Sequence, residues 1–194
     1  MDGKELVSGA AYDVYMDIKK RTNGEIYFGV VGPVRTGKST FIKRFMELCV
    51  LPSMKDDNKR KRAQDELPQS SGGTTVMTVE PKFIPSEAAL ISPFEGINMK
   101  VRLVDCVGFM VEGANGHLDN GKERMVKTPW DTKEIAFSKA AEIGTKKVIN
   151  DHSTIGIVVT TDGSFTEIDR TNYIVAEKKT INELKKINKP FVVI

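Results

Sequence analysis

The sequence is poor in the residues that define several protein classes. Its 194 residues hold two cysteines, Cys49 and Cys106, with no CxxC pair. That excludes a disulfide framework and points to a reducing compartment, the cytoplasm. No apolar run approaches the ~20 residues that a membrane-spanning helix needs. The start, MDGKELVSGAAYDVYMDIKK, has no apolar h-region, so no secretory signal is expected. No internal repeat is present, which excludes solenoids and propellers. The charge of one sign is small: 29 Lys+Arg against 26 Asp+Glu leave a net +3. That excess does not point to nucleic acid, and no nucleic-acid partner is expected. Charged residues at 28% and hydrophobic residues at 40% argue against disorder and for a globular chain with a real core.

Hydrophobic period then divides the chain. Leu6, Ala10, Ala11, Val14 and Ile18 predict a helix over residues 4–20, an N-terminal unit ending near residue 24. Residues 25–194 read as one further unit. Glu25–Val31 is apolar on both faces, as a buried parallel strand is. A Gly-rich turn follows, then a helix over 39–50. Pro52–Ser71 reads as a polar connection carrying the charge run Lys55–Arg62, a solvated face or a contact with an acidic neighbouring subunit or with anionic lipid, the last disfavoured by Asp56 and Asp57 within the run. Val76–Ile84 and Ile97–Asp105 predict two strands joined at Phe94-Glu95-Gly96 as an antiparallel hairpin. Val107–Asp131 reads as loop, Lys133–Asn150 as helix, Ile155–Thr160 as strand, Tyr173–Ile187 as helix. Phe191–Ile194 begins a last strand, and the chain stops within it, which reads as a C-terminally truncated piece. Strands alternating with helices predict an α/β fold with a mostly parallel sheet.

Gly32-Pro33-Val34-Arg35-Thr36-Gly37-Lys38-Ser39 matches G-x-x-x-x-G-K-[ST] in full, between a strand and a helix. In this P-loop, backbone N–H groups and a helix N-terminus face phosphate oxygens. Lys38 reaches the β- and γ-phosphates, and the Ser39 hydroxyl binds Mg²⁺. The nucleotide-contacting set is Gly32, Val34, Arg35, Thr36, Gly37, Lys38, Ser39 and Thr40, with Gly108 from further along. Arg35 lies inside the loop, where it either stabilises transition-state charge in cis or attracts the nucleotide. RTGKS resembles the loop of guanylate-binding proteins and atlastins, in which this arginine is catalytic.

Asp105-Cys106-Val107-Gly108 is a D-x-x-G element at a strand end. It makes Asp105 the Walker B metal residue and gives the Gly108 N–H a place at the γ-phosphate. Phe109 follows, where many small GTPases carry a water-orienting glutamine. Phenylalanine can neither donate nor accept, so water positioning must come from elsewhere: the switch I carbonyl, Arg35 or the 110–131 loop, which holds Glu112, His117 and Glu123. A GTPase-like domain also needs a metal-binding threonine between these elements. Thr74, Thr75 and Thr78 are candidates. The spacing Thr78-Val79-Glu80-Pro81 resembles dynamin-type switch I and favours Thr78. The catalytic set is thus Lys38, Arg35, Thr78 and Asp105, and the metal set Ser39, Thr78 and Asp105. The base-reading motif of the G-protein fold would lie beyond residue 194, so these motifs leave ATP and GTP both open.

Six segments carry a wider resemblance: GVVGPVRTGKSTFIKRFMEL (29–48), RAQDELPQSSGG (62–73), MTVEPKF (77–83), RLVDCVGFM (102–110), AAEIGTKKVINDHSTIGIVVTTDG (140–163) and KPFVVI (189–194). Together they resemble the stage IV sporulation protein A family of spore-coat morphogenetic ATPases. The resemblance implies a three-layer P-loop NTPase domain of GTPase-like (TRAFAC) type that hydrolyses ATP with Mg²⁺. It implies Lys38 in Walker A, Thr78 as sensor threonine and Asp105 in Walker B. It further implies self-assembly into a homopolymer, the basement layer of the spore coat, in the mother-cell cytoplasm at the forespore surface. Coat proteins and the forespore membrane would be contacted through regions outside this chain. Two other readings stay open: a dynamin- or guanylate-binding-like GTPase, and a non-catalytic nucleotide-binding module.

Overall fold

The structure, a computed structural model, describes residues 24–68, 79–94, 97–119 and 121–194. The expected N-terminal helix, the Glu95-Gly96 turn and Thr74, Thr75 and Thr78 lie outside the described residues.

A five-stranded sheet organises these residues, in the order β2-β3-β1-β8-β9. Its members are β1 (Glu25–Val31), β2 (Lys82–Phe94), β3 (Ile97–Asp105), β8 (Ile155–Val158) and β9 (Phe191–Val193). β1 is central and runs parallel to β3 and β8, and β8 runs parallel to β9. Only the edge strand β2 is antiparallel, against β3. The pattern of alternation explains the layers. Val30, Leu103 and Ile157 face one core, with Ile42 of α1 (Lys38–Phe45) and Met46 and Val50 of the π-helical turn that continues it. Their neighbours Val31, Val104 and Val158 face the other, with Val148 and Ile149 of α3 (Phe137–Asn150) and Tyr173 and Leu184 of α4 (Arg170–Lys186). Successive residues of a strand point to opposite faces, so strands apolar throughout are buried by helices on both sides. The expected three-layer, mostly parallel α/β domain with one antiparallel pair is what forms.

Several boundaries differ from the expectation. The Pro52–Ser71 connection contains a helix, α2 (Asp57–Asp65), so the charge run is largely helical. The Asp56 carboxylate caps it, accepting from the N–H groups of Asn58 and Lys59 at 3.0 and 3.1 Å. Ala63 is its one buried side chain and joins the core, while Lys59 and Arg62 pair with Glu87 of β2 at 2.9 and 3.7 Å. Part of the run therefore faces its own sheet edge.

β2 begins at Lys82, with no strand over 79–81, and runs through Pro85 with a register shift between Ile84 and Ala89; the expected start at Val76 lies outside the described residues. An edge strand tolerates a proline and a bulge because one row of its backbone groups has no ladder partner to lose. Val107–Asp131 is not all loop. Leu118–Asp119 (β4) pairs with Lys122–Glu123 (β5), and Met125–Thr128 (β6) with Asp131–Ala136 (β7). β7 delays the start of α3 from Lys133 to Phe137, whose N–H donates to the Arg124 carbonyl at 2.8 Å.

The cap on α2 generates a test. Asp56→Ala leaves two first-turn N–H groups without their acceptor, so the protein should lose about 1 kcal/mol in chemical denaturation. Asp56→Asn, which keeps the acceptor oxygen, should recover most of it.

Candidate nucleotide and metal site

The site forms where β1 ends. Val30 is in register with Asp105 on one side, and Val31 with Val158 on the other. The chain leaving β1 therefore enters the crevice at the carboxyl ends of β3, β1 and β8, the place where open α/β sheets bind ligands. Gly32 makes this exit with φ 138°. A Cβ there would lie 2.4 Å from the Val159 carbonyl oxygen, so the position needs glycine for space as well as for conformation.

The loop is tied down from within and from the side. The Pro33 carbonyl accepts from the Lys38 ammonium at 2.5 Å and from the Thr36 hydroxyl at 3.1 Å. Laterally, the Phe109 N–H donates to the Gly32 carbonyl at 3.1 Å, and the Val34 N–H donates to the Phe109 carbonyl at 2.9 Å. Val34 has its side chain in the core, so both its amide and its side chain are engaged inward. Gly37 ends the loop, and α1 starts at Lys38 with no side-chain cap and no acidic residue in its first turn. Its leading N–H groups are left for an anion. Ser39 and Thr40 are exposed on that first turn. Arg35 takes a left-handed backbone, φ 61°, which is uncommon for a non-glycine residue.

Two opposite charges act on each other at the loop. Lys38 is 5% exposed, and burial holds its pKa below the usual lysine range, with Cys106 and Asp105 pulling the other way. Burial likewise raises the Asp105 pKa, against the Ser39 hydrogen bond and the Lys38 charge, which lower it. The Ser39 hydroxyl donates to Asp105 Oδ2 at 2.7 Å. Asp105 Oδ1 is buried without a hydrogen-bond partner. A hard oxygen pair with one orphaned carboxylate oxygen suits Mg²⁺, which takes few protein ligands and completes its octahedron with phosphate and water. Among the described residues no group of three His, Cys, Asp or Glu side chains forms a cage of another kind. Cys106 is no ligand here: burial pushes its thiol up to about 11, and it donates to the Val30 carbonyl at 3.5 Å.

Gly108 lies against the loop with φ 99°. A Cβ there would meet the Gly32 carbonyl at 2.3 Å and the Lys38 ammonium at 2.7 Å. Its N–H donates to the Thr145 hydroxyl of α3 at 3.2 Å. Phe109 is 2% exposed, packed in the core with the Lys179 ammonium 4.7 Å from its ring centroid. A side chain so placed orients no water. Of the alternatives in the 110–131 loop, exposed Glu123 accepts from the Ser138 hydroxyl, on α3. The structure thus brings together Gly32, Lys38, Ser39, Asp105 and Gly108, and does not describe Thr78.

Sequence reasoning passed over two residues. Thr145 is fully buried among Ala140, Ala141, Val148 and Ile149; the one polar side chain on that apolar face was the available signal. Phe165, in the loop after β8, is 62% exposed and 3.9 Å from where a Gly37 Cβ would be. No periodicity marks it.

Gly32→Ala provides a direct check on this geometry. The added methyl meets a backbone oxygen that cannot step aside, so stability should fall by about 2 kcal/mol or more in thermal unfolding. The stabilisation that a nucleoside triphosphate gives the wild-type protein should be absent from the variant.

Residues 10–194 match the family described as stage IV sporulation protein A, ATPase domain. Curated relatives named stage IV sporulation protein A include those of Bacillus anthracis and Clostridioides difficile (strain 630), each 58% identical over 182 residues. That of Bacillus subtilis (strain 168) is 56% identical over the same length. The matches cover 94% of this chain but 37% of the relatives, so the chain spans little more than a third of their length. By these matches, over a strand–loop–helix turn on a 2-3-1-8-9 sheet, the chain belongs to the stage IV sporulation protein A family and carries its ATPase domain.

Proposed function

We propose that this domain hydrolyses ATP with Mg²⁺, transferring the terminal phosphoryl group to water. The observation that carries the reading is the pairing of Ser39 with Asp105 beside the buried Lys38. A hydroxyl–carboxylate oxygen pair and a buried ammonium side by side at one helix N-terminus support a site for a cation and a phosphate. Ser39 and Asp105 would hold Mg²⁺, directly or through water, and Thr78 is the third proposed ligand. The ion, when bound, neutralises charge on the phosphate oxygens. Lys38 holds the β- and γ-phosphates in register. Gly32 shapes the loop that presents its amides to them, and the α1 N-terminus adds its dipole.

Arg35 is the proposed transition-state residue. A non-glycine residue at φ 61° costs the fold free energy that glycine would not. Keeping arginine there is understandable if its side chain serves the reaction. The burial of Phe109 supports the same reading, because it removes the glutamine route to charge and water control.

The family supports a wider proposal. Hydrolysis by the whole protein drives its assembly with further copies of itself into the basement layer of the spore coat. This takes place in the mother-cell cytoplasm at the forespore surface, with coat proteins and membrane reached through parts of the protein beyond this domain. Among the described residues no helix is long and apolar enough to cross a membrane. The RTGKS loop favours a second reading on the base, a GTPase of dynamin or guanylate-binding type.

Thermal-shift titration with ATP and with GTP, each with Mg²⁺, separates the two: stabilisation specific to ATP is expected. Phosphate release should be lost in Lys38→Ala; release that survives would sink the catalytic role of the loop. Asp105→Asn should spare nucleotide binding more than hydrolysis. Arg35→Ala should lower turnover by roughly 10²-fold or more with little change in nucleotide affinity. Arg35→Lys should rescue poorly, since an ammonium lacks the planar two-pronged donor set. Weakened binding with turnover intact at saturation would make Arg35 an attracting charge only.

A further inference from the structure

Helix α3 touches the site from behind. Two adjacent residues make the contact. Thr145, 0% exposed, accepts from the Gly108 N–H at 3.2 Å and donates to the Ala141 carbonyl at 2.7 Å. Gly144 lies so close to Val79, the residue after Thr78, that a Cβ on it would be 2.6 Å from the Val79 carbonyl oxygen. One turn of α3 thus abuts both the D-x-x-G loop and the chain that leaves the candidate sensor threonine.

We propose that Thr145 is a positioning residue of the nucleotide cycle, whose hydroxyl holds the Gly108 amide when no γ-phosphate is present. The inference rests on the reading of the site as one that binds ATP. Gly108 is itself buried, so its N–H needs an acceptor in every state of the protein. Two acceptors are available to it in turn: the Thr145 hydroxyl, as here, and a γ-phosphate oxygen. The Thr145 hydroxyl is fixed for the first role by its own bond to Ala141, which aims a lone pair at Gly108. The competition between the two acceptors sets how strongly triphosphate is preferred over diphosphate.

Thr145→Val keeps shape and removes the hydroxyl. The Gly108 N–H is then orphaned in the nucleotide-free and diphosphate states and satisfied only by triphosphate. Removing an acceptor from a buried donor is expensive, so the preference for triphosphate over diphosphate should rise by about five- to tenfold. Thr145→Ser keeps the hydroxyl and should retain the wild-type ratio.

Calorimetric titration of the intact protein with ADP and with a non-hydrolysable ATP analogue, both with Mg²⁺, reads the ratio directly. Melting of each variant without nucleotide reports any general loss of packing, and Thr145→Ala serves if the valine variant does not fold. A raised ratio in the valine or alanine variant, restored by serine, supports the proposal. An unchanged ratio, equal shifts for both nucleotides, or a lowered ratio overturns it and leaves Thr145 a packing residue. Wild-type protein that binds neither nucleotide would instead overturn the ATP reading itself.

Discussion

The burial of the Lys38 ammonium is the constraint on which the site depends. A charge 5% exposed must be given an acceptor, and here it is the Pro33 carbonyl. That carbonyl points inward because the loop is curled, and the curl is held by the two backbone hydrogen bonds to Phe109. Phe109 is in reach because β3 pairs in parallel register with β1, which brings Asp105 level with Val30 and the residues after it over the loop. Sheet order, loop shape and buried charge are therefore one arrangement. The same burial that depresses the Lys38 pKa raises that of Asp105, so both groups are held where their charged forms are least comfortable. The phosphate and Mg²⁺ of the proposed function would relieve both at once.

What was legible in the sequence follows from where the physics is local. The central strands were readable because both faces are buried, so Phe28–Val31, Leu103-Val104 and Ile155–Val158 are apolar without alternation. The phosphate loop was readable because its glycines are fixed by contacts of their own backbone. Helix α2 was not: its run Lys55–Arg62 carries no apolar stripe, and it is held by the Asp56 cap and by pairs with Glu87, a residue 28 positions beyond Lys59. β2 was misplaced because Pro85, Ser86 and Glu87 break its period at a bulge that only an edge strand accommodates. The hairpins between Leu118 and Ala136 are short and mostly exposed, so little burial imprints on them a pattern to read. Thr145 was missed for another reason. Its bond to Gly108 spans 37 positions, and its place as the one polar side chain on the buried face of α3 fits a threonine bonded only within its helix equally well.

The anchoring of Phe109 also limits how the domain can respond to nucleotide. In a P-loop domain the residues after the Walker B aspartate commonly carry the nucleotide signal by swinging as a segment. Here Phe109 is bonded to the loop on both its amide and its carbonyl, and its ring is locked among Val34, Val111 and α4. Such a residue moves only if the core opens. Gly108 is different: its left-handed φ places it outside the region favoured by other residues, and it is the glycine immediately before the anchor. If the site takes a triphosphate as proposed, a response at the γ-phosphate would act first at Gly108 and next on what holds the Gly108 amide, which is α3. That helix is rigid through its buried face of Phe137, Ala140, Ala141, Val148 and Ile149, and it abuts Val79 at Gly144. On the proposed reading, the route from phosphate to the rest of the protein would therefore run through helix packing rather than through a large excursion of the D-x-x-G loop.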